Sequence, residues 1–177
     1  MDIREMLVSI FTAIQVLYGE PSIEKQNLWC LTENLIYETE AIKSQPIEGK
    51  IAVMETVTAR IKDKRYPDSY CKVIHQHKQY SWTLIDEEFR WKPSDRLIED
   101  SAQLALSYLR NQLPKTKVYG ATHFINPDAA DYIPDWYYQY EYLGKIGDHE
   151  FFKRPKRREL AAKHKRKSRP EECTKLC

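Results

Sequence analysis

The chain has 177 residues, 42% hydrophobic, 12% aromatic and 31% charged, which excludes disorder throughout and suits one compact domain with tails. Its net charge of +2 is unevenly distributed, because residues 1–152 carry 17 Lys/Arg and 23 Asp/Glu whereas residues 153–177 carry 11 and three. We therefore expect an acidic body and a basic, solvated, disordered tail that is attracted to polyanions such as anionic envelope polymers.

The N-terminal segment, residues 1–21, contains an apolar run from Met6 to Leu17. This run is too short to span a bilayer, and its flanks fit an export signal poorly. We interpret it as an amphipathic or buried helix, with an export signal as the alternative, and expect no transmembrane segment. Pro21 separates it from the next helix, which Ser22 can cap.

Apolar residues then recur at helical spacing in three stretches, and each pattern predicts a helix with one buried face. The first stretch is residues 28–42 and the second is about residues 48–62. The third opens at Ser94, a good N-cap, and the residues expected to point inward are Leu97, Ser101, Leu104, Ala105 and Tyr108.

After Pro114 the composition becomes typical of strands and turns. Val118–Phe124 and Lys145–Phe152 are predicted as short strands, joined by a loop rich in Pro, Asp and Tyr. The sequence therefore predicts an α+β domain over residues 22–153, mainly helical with a small antiparallel hairpin, followed by the tail at residues 154–177.

Four cysteines occur at positions 30, 71, 173 and 177, without a CxxC pair. No histidine lies close to Cys173 or Cys177 in a zinc-site spacing. Cys30 and Cys71 could form a disulfide in an oxidising compartment, and the alternative is two buried thiols.

Glu38 lies at the edge of the apolar stripe of the first predicted helix, whereas Glu33 and Glu40 point away from it. A carboxylate against apolar surface loses hydration, so its pKa rises and it can remain protonated near neutral pH. A general acid for glycosidic cleavage needs this property. The alternative is a boundary glutamate whose carboxylate reaches water.

The run from Cys30 to Thr39, CLTENLIYET, resembles the opening helix of SleB-type cell wall hydrolases, the spore-cortex lytic enzymes and their phage relatives. Further similar segments follow in the same order and extend the resemblance over roughly residues 28–153. They are Glu48–Val53, Arg65–Asp68 with Cys71 and Val73-Ile74, Gln79–Trp82, Gly120–Phe124, Pro134–Trp136 and Ile146–Phe152.

The resemblance implies a lysozyme-like fold and a bacteriolytic enzyme that cleaves peptidoglycan between N-acetylmuramic acid and N-acetylglucosamine. Such an enzyme acts at the bacterial cell wall, whether made in a host cytoplasm, exported or carried on a phage particle. A gapless match from Cys30 places the family's catalytic acid on Glu38. Thr39 replaces the usual alanine and the stretch to Gly49 is longer than usual, so an alignment on the Glu-Ala pair would select Glu40 instead.

A lone catalytic carboxylate favours a lytic transglycosylase over a hydrolase. Hydrolysis generally needs a second carboxylate to activate water or to form a glycosyl-enzyme. In the transglycosylase reaction the muramoyl hydroxymethyl group is a tethered nucleophile, so one glutamate suffices. A muramidase or an amidase acting on the same substrate is the alternative.

The candidate substrate-binding residues come from four segments of the resemblance. Aromatic faces in the segment Gln79–Trp82 could lie under sugar rings, although a core Trp beside a polar turn is the alternative. His123 and His149 could lie together across the hairpin, as buried hydrogen-bonding imidazoles rather than metal ligands. The full set is Tyr37, Gln79, Tyr80, Ser81, Trp82, Thr122, His123, Asn126 and His149.

We expect no metal and no cofactor, and a monomer whose partner is peptidoglycan. Ser81 lacks the G-x-S-x-G context of a hydrolase nucleophile. The alternative from another class is a non-enzymatic module that binds polyanions or the wall through the basic tail. No nucleic-acid-binding motif supports specific base reading.

Overall fold

A computed structural model describes residues 25–41 and 44–156. The predictions for residues 1–21, for the Ser22 cap and for residues 157–177 lie outside the described residues. Over the described ranges, no helix combines the length and apolarity needed to cross a bilayer. The helices are α1 (Lys25–Thr39), α2 (Ile47–Ile61), α3 (Tyr70–Ile74), α4 (Asp95–Leu109) and α5 (Trp136–Gln139), with 3₁₀ helices at Ser81–Leu84 and Glu87–Phe89.

The three predicted helices form as α1, α2 and α4, and Ser94 caps α4 by accepting a hydrogen bond from the Leu97 amide at 3.3 Å. The inward face of α4 is rotated from the predicted one. Ser101 and Ala105 are buried as expected, but the other buried positions are Ile98, Ala102 and Leu106, while Leu97, Leu104 and Tyr108 are only partly buried. Ile98 and Ala102 pack on Ile36 of α1, and the small alanine side chain allows the two helices to approach closely.

The strands are β1 (His123–Ile125), β2 (Glu141–Ile146) and β3 (His149–Lys153), in an antiparallel sheet of order β1-β3-β2. The prediction that Lys145–Phe152 is one strand is wrong, because the chain reverses at Gly147 and Asp148. Gly147 has a φ of 58°, which a glycine adopts without steric cost. In Val118–Phe124, residues 118–120 form a turn, and only His123 and Phe124 pair with β3.

Helix α2 lies between two parts of the core. One of its faces, including Met54 and Val57, packs with Leu31 and Leu35 of α1 and with residues of α3 and α4. The other face, including Val53, packs against the sheet. The end of α1 and one sheet surface are therefore both held against α2.

The structure joins Cys30 of α1 to Cys71 of α3 in a disulfide, with the two Cα atoms 5.2 Å apart. This linkage resolves the two alternatives that the sequence left open. It fixes α3 against α1, beside the segment that leads into the Ser81–Leu84 helix.

Candidate active site

Glu38 lies in the last turn of α1 and lines a groove of about 520 Å³. The groove is bounded by the end of α1, by β1 and the loop after it, and by the turn between β2 and β3. Its lining residues are Tyr37, Glu38, Gln45, Ser81, Phe124, Ile125, Asn126, Asp128, Ala129, Ala130, Asp148 and His149.

Burial raises the pKa of Glu38 to about 7, and the positive charge of Arg60 partly opposes the rise. The desolvated carboxylate is less stable than it would be in water, so the proton is held more tightly. Both protonation states are therefore accessible near neutral pH. A carboxyl group with this pKa can donate a proton and later accept one.

Glu40 has different surroundings. Its carboxylate forms an ion pair with Lys50 of α2, and it lines a separate surface depression together with Leu97 and Asp100. Of the two glutamates that the sequence alignment allows, Glu38 is the one in the groove.

Arg60 lies in the last turn of α2, and only 3% of it is exposed. Its Nε donates to the Thr122 carbonyl at 2.7 Å and its Nη1 donates to the Tyr80 hydroxyl at 3.1 Å. With its amide oxygen turned toward Arg60, Gln79 accepts from both Nη atoms at 3.2 and 3.3 Å. Gln79, Tyr80 and Thr122, which the sequence predicted as substrate-binding residues, therefore contact Arg60 and are not among the residues that line the groove.

Trp82, which was also predicted as a substrate-binding residue, belongs to the core, and only 4% of it is exposed. Its Nε1 donates to Asn34 Oδ1 at 3.3 Å, and its ring stacks on Tyr37 at 4.9 Å between centroids. Trp82 supports Tyr37 from beneath, and Tyr37 and Ser81 reach the groove.

The two histidines lie on opposite faces of the sheet. His123 pairs with Phe152 across β1 and β3, whereas His149 shares its face with Phe151 and Phe124. Successive side chains of a strand point to opposite faces. The prediction that the two imidazoles lie together across the hairpin is therefore wrong.

His149 lines the groove, and burial lowers its pKa to about 4. Its Nδ1 is buried and has no hydrogen-bond partner among the described residues. His123 lies outside the groove, between Trp136 and Tyr140, and burial lowers its pKa to about 3. Within residues 25–41 and 44–156, no group of three or more His, Cys, Asp or Glu side chains could hold a metal ion.

Gln45, Asp128 and Asp148 also line the groove, although none of them was predicted as a substrate-binding residue. The Asp148 amide donates to Gln45 Oε1 at 3.0 Å, and Gln45 Nε2 donates to Asp148 Oδ2 at 3.4 Å. This pair joins the segment after α1 to the β2–β3 turn. The Gly-Asp dipeptide was a signal for the turn, but no local pattern marks the partner Gln45 more than 100 residues away.

The groove occurs in a chain with recognisable relatives. A family model described as Cell Wall Hydrolase matches residues 44–152, and the chain belongs to this family. It is therefore an enzyme that acts on peptidoglycan at the cell wall, which excludes the non-enzymatic module as an account of the folded body. Glu38 lies upstream of the matched residues, so the assignment does not depend on it.

Two solved structures are similar to this chain over most of its length. The catalytic domain of the germination-specific lytic transglycosylase SleB from Bacillus anthracis superposes with a TM-score of 0.58 and 19% identity, covering 76% of this chain and 99% of that one. The catalytic domain of the Bacillus cereus SleB protein gives 0.56 and 23% identity, covering 77% and 97%. A search of curated proteins found no match. The fold is the lysozyme-like α+β fold that the resemblance implied.

Proposed function

We propose that this enzyme cleaves the glycan strand of peptidoglycan as a lytic transglycosylase, with Glu38 as its acid and base. The observation that carries the proposal is a partly buried carboxyl group, with a pKa of about 7, in the wall of a groove. The family assignment and the similarity to a lytic transglycosylase domain support the same reaction.

In the first step, protonated Glu38 donates its proton to the oxygen that links N-acetylmuramic acid to N-acetylglucosamine. The bond from the muramoyl anomeric carbon to this oxygen breaks, and positive charge develops on the sugar. The Glu38 carboxylate then takes the proton of the muramoyl hydroxymethyl group, whose oxygen attacks the anomeric carbon. This attack closes a 1,6-anhydro ring and restores the protonated acid without consuming water.

We propose Tyr37, Ser81, Asn126 and His149 as substrate contacts, because all four line the groove that contains Glu38. The Tyr37 ring rests on buried Trp82, so its position is fixed before substrate binds. The neutral His149 imidazole and the Asn126 amide can form hydrogen bonds with N-acetyl groups.

Hydrolysis of the same glycosidic bond in this groove is the second candidate reaction. Asp128 and Asp148 also line the groove, and either carboxylate could activate a water molecule as a second catalytic group. Asp148 is held by Gln45, and Asp128 lies 4.0 Å from the Lys145 ammonium.

Mass analysis of fragments from purified sacculi distinguishes the two reactions. A lytic transglycosylase leaves anhydromuramoyl ends that are one water lighter than reducing ends. We expect anhydro ends that persist in the Asp128→Asn and Asp148→Asn variants. Reducing ends that disappear in one of these variants would establish a hydrolase instead, and released stem peptides with intact glycan would establish an amidase.

We further propose that the basic tail increases association with anionic envelope polymers. Residues 157–177 carry eight Lys/Arg and three Asp/Glu and follow an acidic body. Opposite charge raises the rate of encounter with a polyanion without requiring a folded site.

A further inference from the structure

A second cleft, of about 550 Å³, is separate from the groove and shares no lining residue with it. Its walls are the end of α2 and the following turn, the segment before β1, and the end of β3. Six of its lining residues are cationic and two are acidic. The cations are Lys62, Lys64, Arg65, Lys153, Arg154 and Lys156, and the acids are Glu55 and Asp63.

Both carboxylates of the cleft already have partners. Glu55 accepts hydrogen bonds from the backbone amide and the hydroxyl of Thr116, and Asp63 forms an ion pair with Arg65. In the described part of the chain, Lys62, Lys64 and Lys153 have no carboxylate partner. All three are exposed, so their ammonium groups can reach a ligand in the cleft.

Arg154 supplies a further donor. Its backbone amide donates to Thr122 Oγ1 at 2.8 Å, which fixes the residue against the wall of the cleft. Its guanidinium group is one of the cations that line the cleft, and its NH groups are hydrogen-bond donors. A cluster of cations in a body that is otherwise acidic is a site for repeated negative charge.

We propose that this cleft binds the phosphates of a phosphodiester polymer of the cell envelope. Lysine and arginine provide the donors that phosphate oxygens require, and the family acts at the wall, where such a polymer would be encountered. The site goes beyond the proposed reaction, because the cleft and the groove have no residue in common.

The cleft fits a nucleic acid or a lipid surface less well. Tyr119 is the aromatic residue of its lining, and the Lys115 ammonium lies 4.4 Å from the centre of that ring and covers one face. Successive bases of a single strand stack on several aromatic side chains, which this lining does not provide. The cations line a concave wall, whereas membrane-surface binding uses an exposed basic face with apolar side chains that insert.

Binding of a synthetic glycerol-phosphate oligomer to the full chain tests the proposal. The cleft variant is Lys62→Gln with Lys153→Gln, and the matched control is Lys78→Gln with Lys92→Gln. All four lysines are exposed, and both variants lose two charges while they retain the basic tail. At about 0.05 M salt, where the Debye length is about 14 Å, we expect the cleft variant to bind about three- to tenfold more weakly than wild type.

The control variant should bind within about twofold of wild type, and the cleft variant should show a shallower dependence of affinity on salt. Equal weakening of both variants, or of neither, would overturn the site. Tighter cleft-dependent binding of single-stranded DNA or of phosphatidylglycerol vesicles would overturn the choice of ligand. Because neither variant changes the groove, cleavage of soluble glycan fragments serves as the control for folding. A cleft variant that binds the oligomer more weakly but cleaves normally would support this site independently of the proposed reaction.

Discussion

Glu38 and Glu40 are two residues apart, yet their carboxylates have unlike surroundings. Because each helical residue advances by about 100°, side chains at i and i+2 point to nearly opposite sides of α1. One carboxyl group enters the groove, where burial raises its pKa to about 7, and the other meets Lys50. The direction of each side chain follows from the apolar stripe of the sequence.

The raised pKa of Glu38 predicts a cost to folding that depends on pH. The folded protein holds this proton more tightly than the unfolded chain, so the contribution to stability is complete below about pH 4.5 and is lost as the pH rises through about 7. The Glu38→Gln side chain has nearly the same shape but does not ionise, so its contribution to stability does not fall with rising pH. Its free energy of unfolding relative to wild type should therefore increase by roughly 3 kcal/mol between pH 4 and pH 8.

Urea denaturation of both proteins at the two pH values measures this difference. Glu40→Gln is the matched control, and it should gain no stability at pH 8 because it removes the ion pair with Lys50. A constant difference between Glu38→Gln and wild type at pH 4 and pH 8 would show that Glu38 is not desolvated.

Other residues of the site could not be assigned from local sequence. The alternation in Gln79–Trp82 buries Tyr80 and Trp82 and directs Ser81 to the groove, but a short polar and aromatic run does not reveal which side is inward. Arg60 is charged and near a helix end, where arginine is usually solvated. Its burial depends on acceptors from Tyr80 and Thr122, which only the tertiary fold brings together.

At the scale of elements, long helices were predictable and short strands were not. The stripes of α1 and α2 extend over several turns and define the buried side well, whereas the buried face of α4 is rotated from the predicted one. The strands have three to six residues, and the segment Lys145–Phe152 has only one turn signal, Gly147-Asp148, between Ile146 and Phe151-Phe152. Strand pairing depends on contacts that are distant in sequence, so the periodicity alone did not locate the turn between β2 and β3.

We expect Gly147 to be required for the shape of the groove, because it lets the β2–β3 turn lie close to the segment after α1. A Cβ added to Gly147 would lie 2.1 Å from Gln45 Oε1 and 2.8 Å from Pro46 Cδ, so the turn and the segment after α1 would have to move apart. Gly147→Ala should lower the free energy of unfolding by about 2 to 4 kcal/mol and glycan cleavage by about tenfold.

Gly120→Ala is the matched control, because Gly120 also has a positive φ, 92°, but has no atom within 4 Å of an added Cβ. It should lose only about 1 kcal/mol, the cost of the backbone conformation, and should keep its activity. Thermal denaturation and release of glycan fragments report the two effects. Equal losses in the two variants would mean that the contact between Gln45 and the turn is unimportant.

At the scale of the whole molecule, an acidic body is followed by a basic tail. Deletion of residues 157–177 retains the cleft residues up to Lys156 and should leave cleavage of soluble glycan fragments unchanged. The same deletion should slow lysis of sacculi several-fold at about 0.02 M salt, and the difference should disappear as screening increases. Lysis rates across a salt series measure this effect, and equal rates for both proteins at every salt concentration would make the tail dispensable for targeting.

The central claim is that Glu38 is the acid and base of peptidoglycan cleavage. The most direct measurement is the release of soluble glycan fragments from purified sacculi by wild type, Glu38→Gln and Glu40→Gln, with circular dichroism spectra as the check of folding. We expect Glu38→Gln to fold normally and to lose about a thousandfold or more in rate, while Glu40→Gln retains most of the activity. An active Glu38→Gln variant beside an inactive, folded Glu40→Gln variant would contradict the account and move the catalytic role to Glu40.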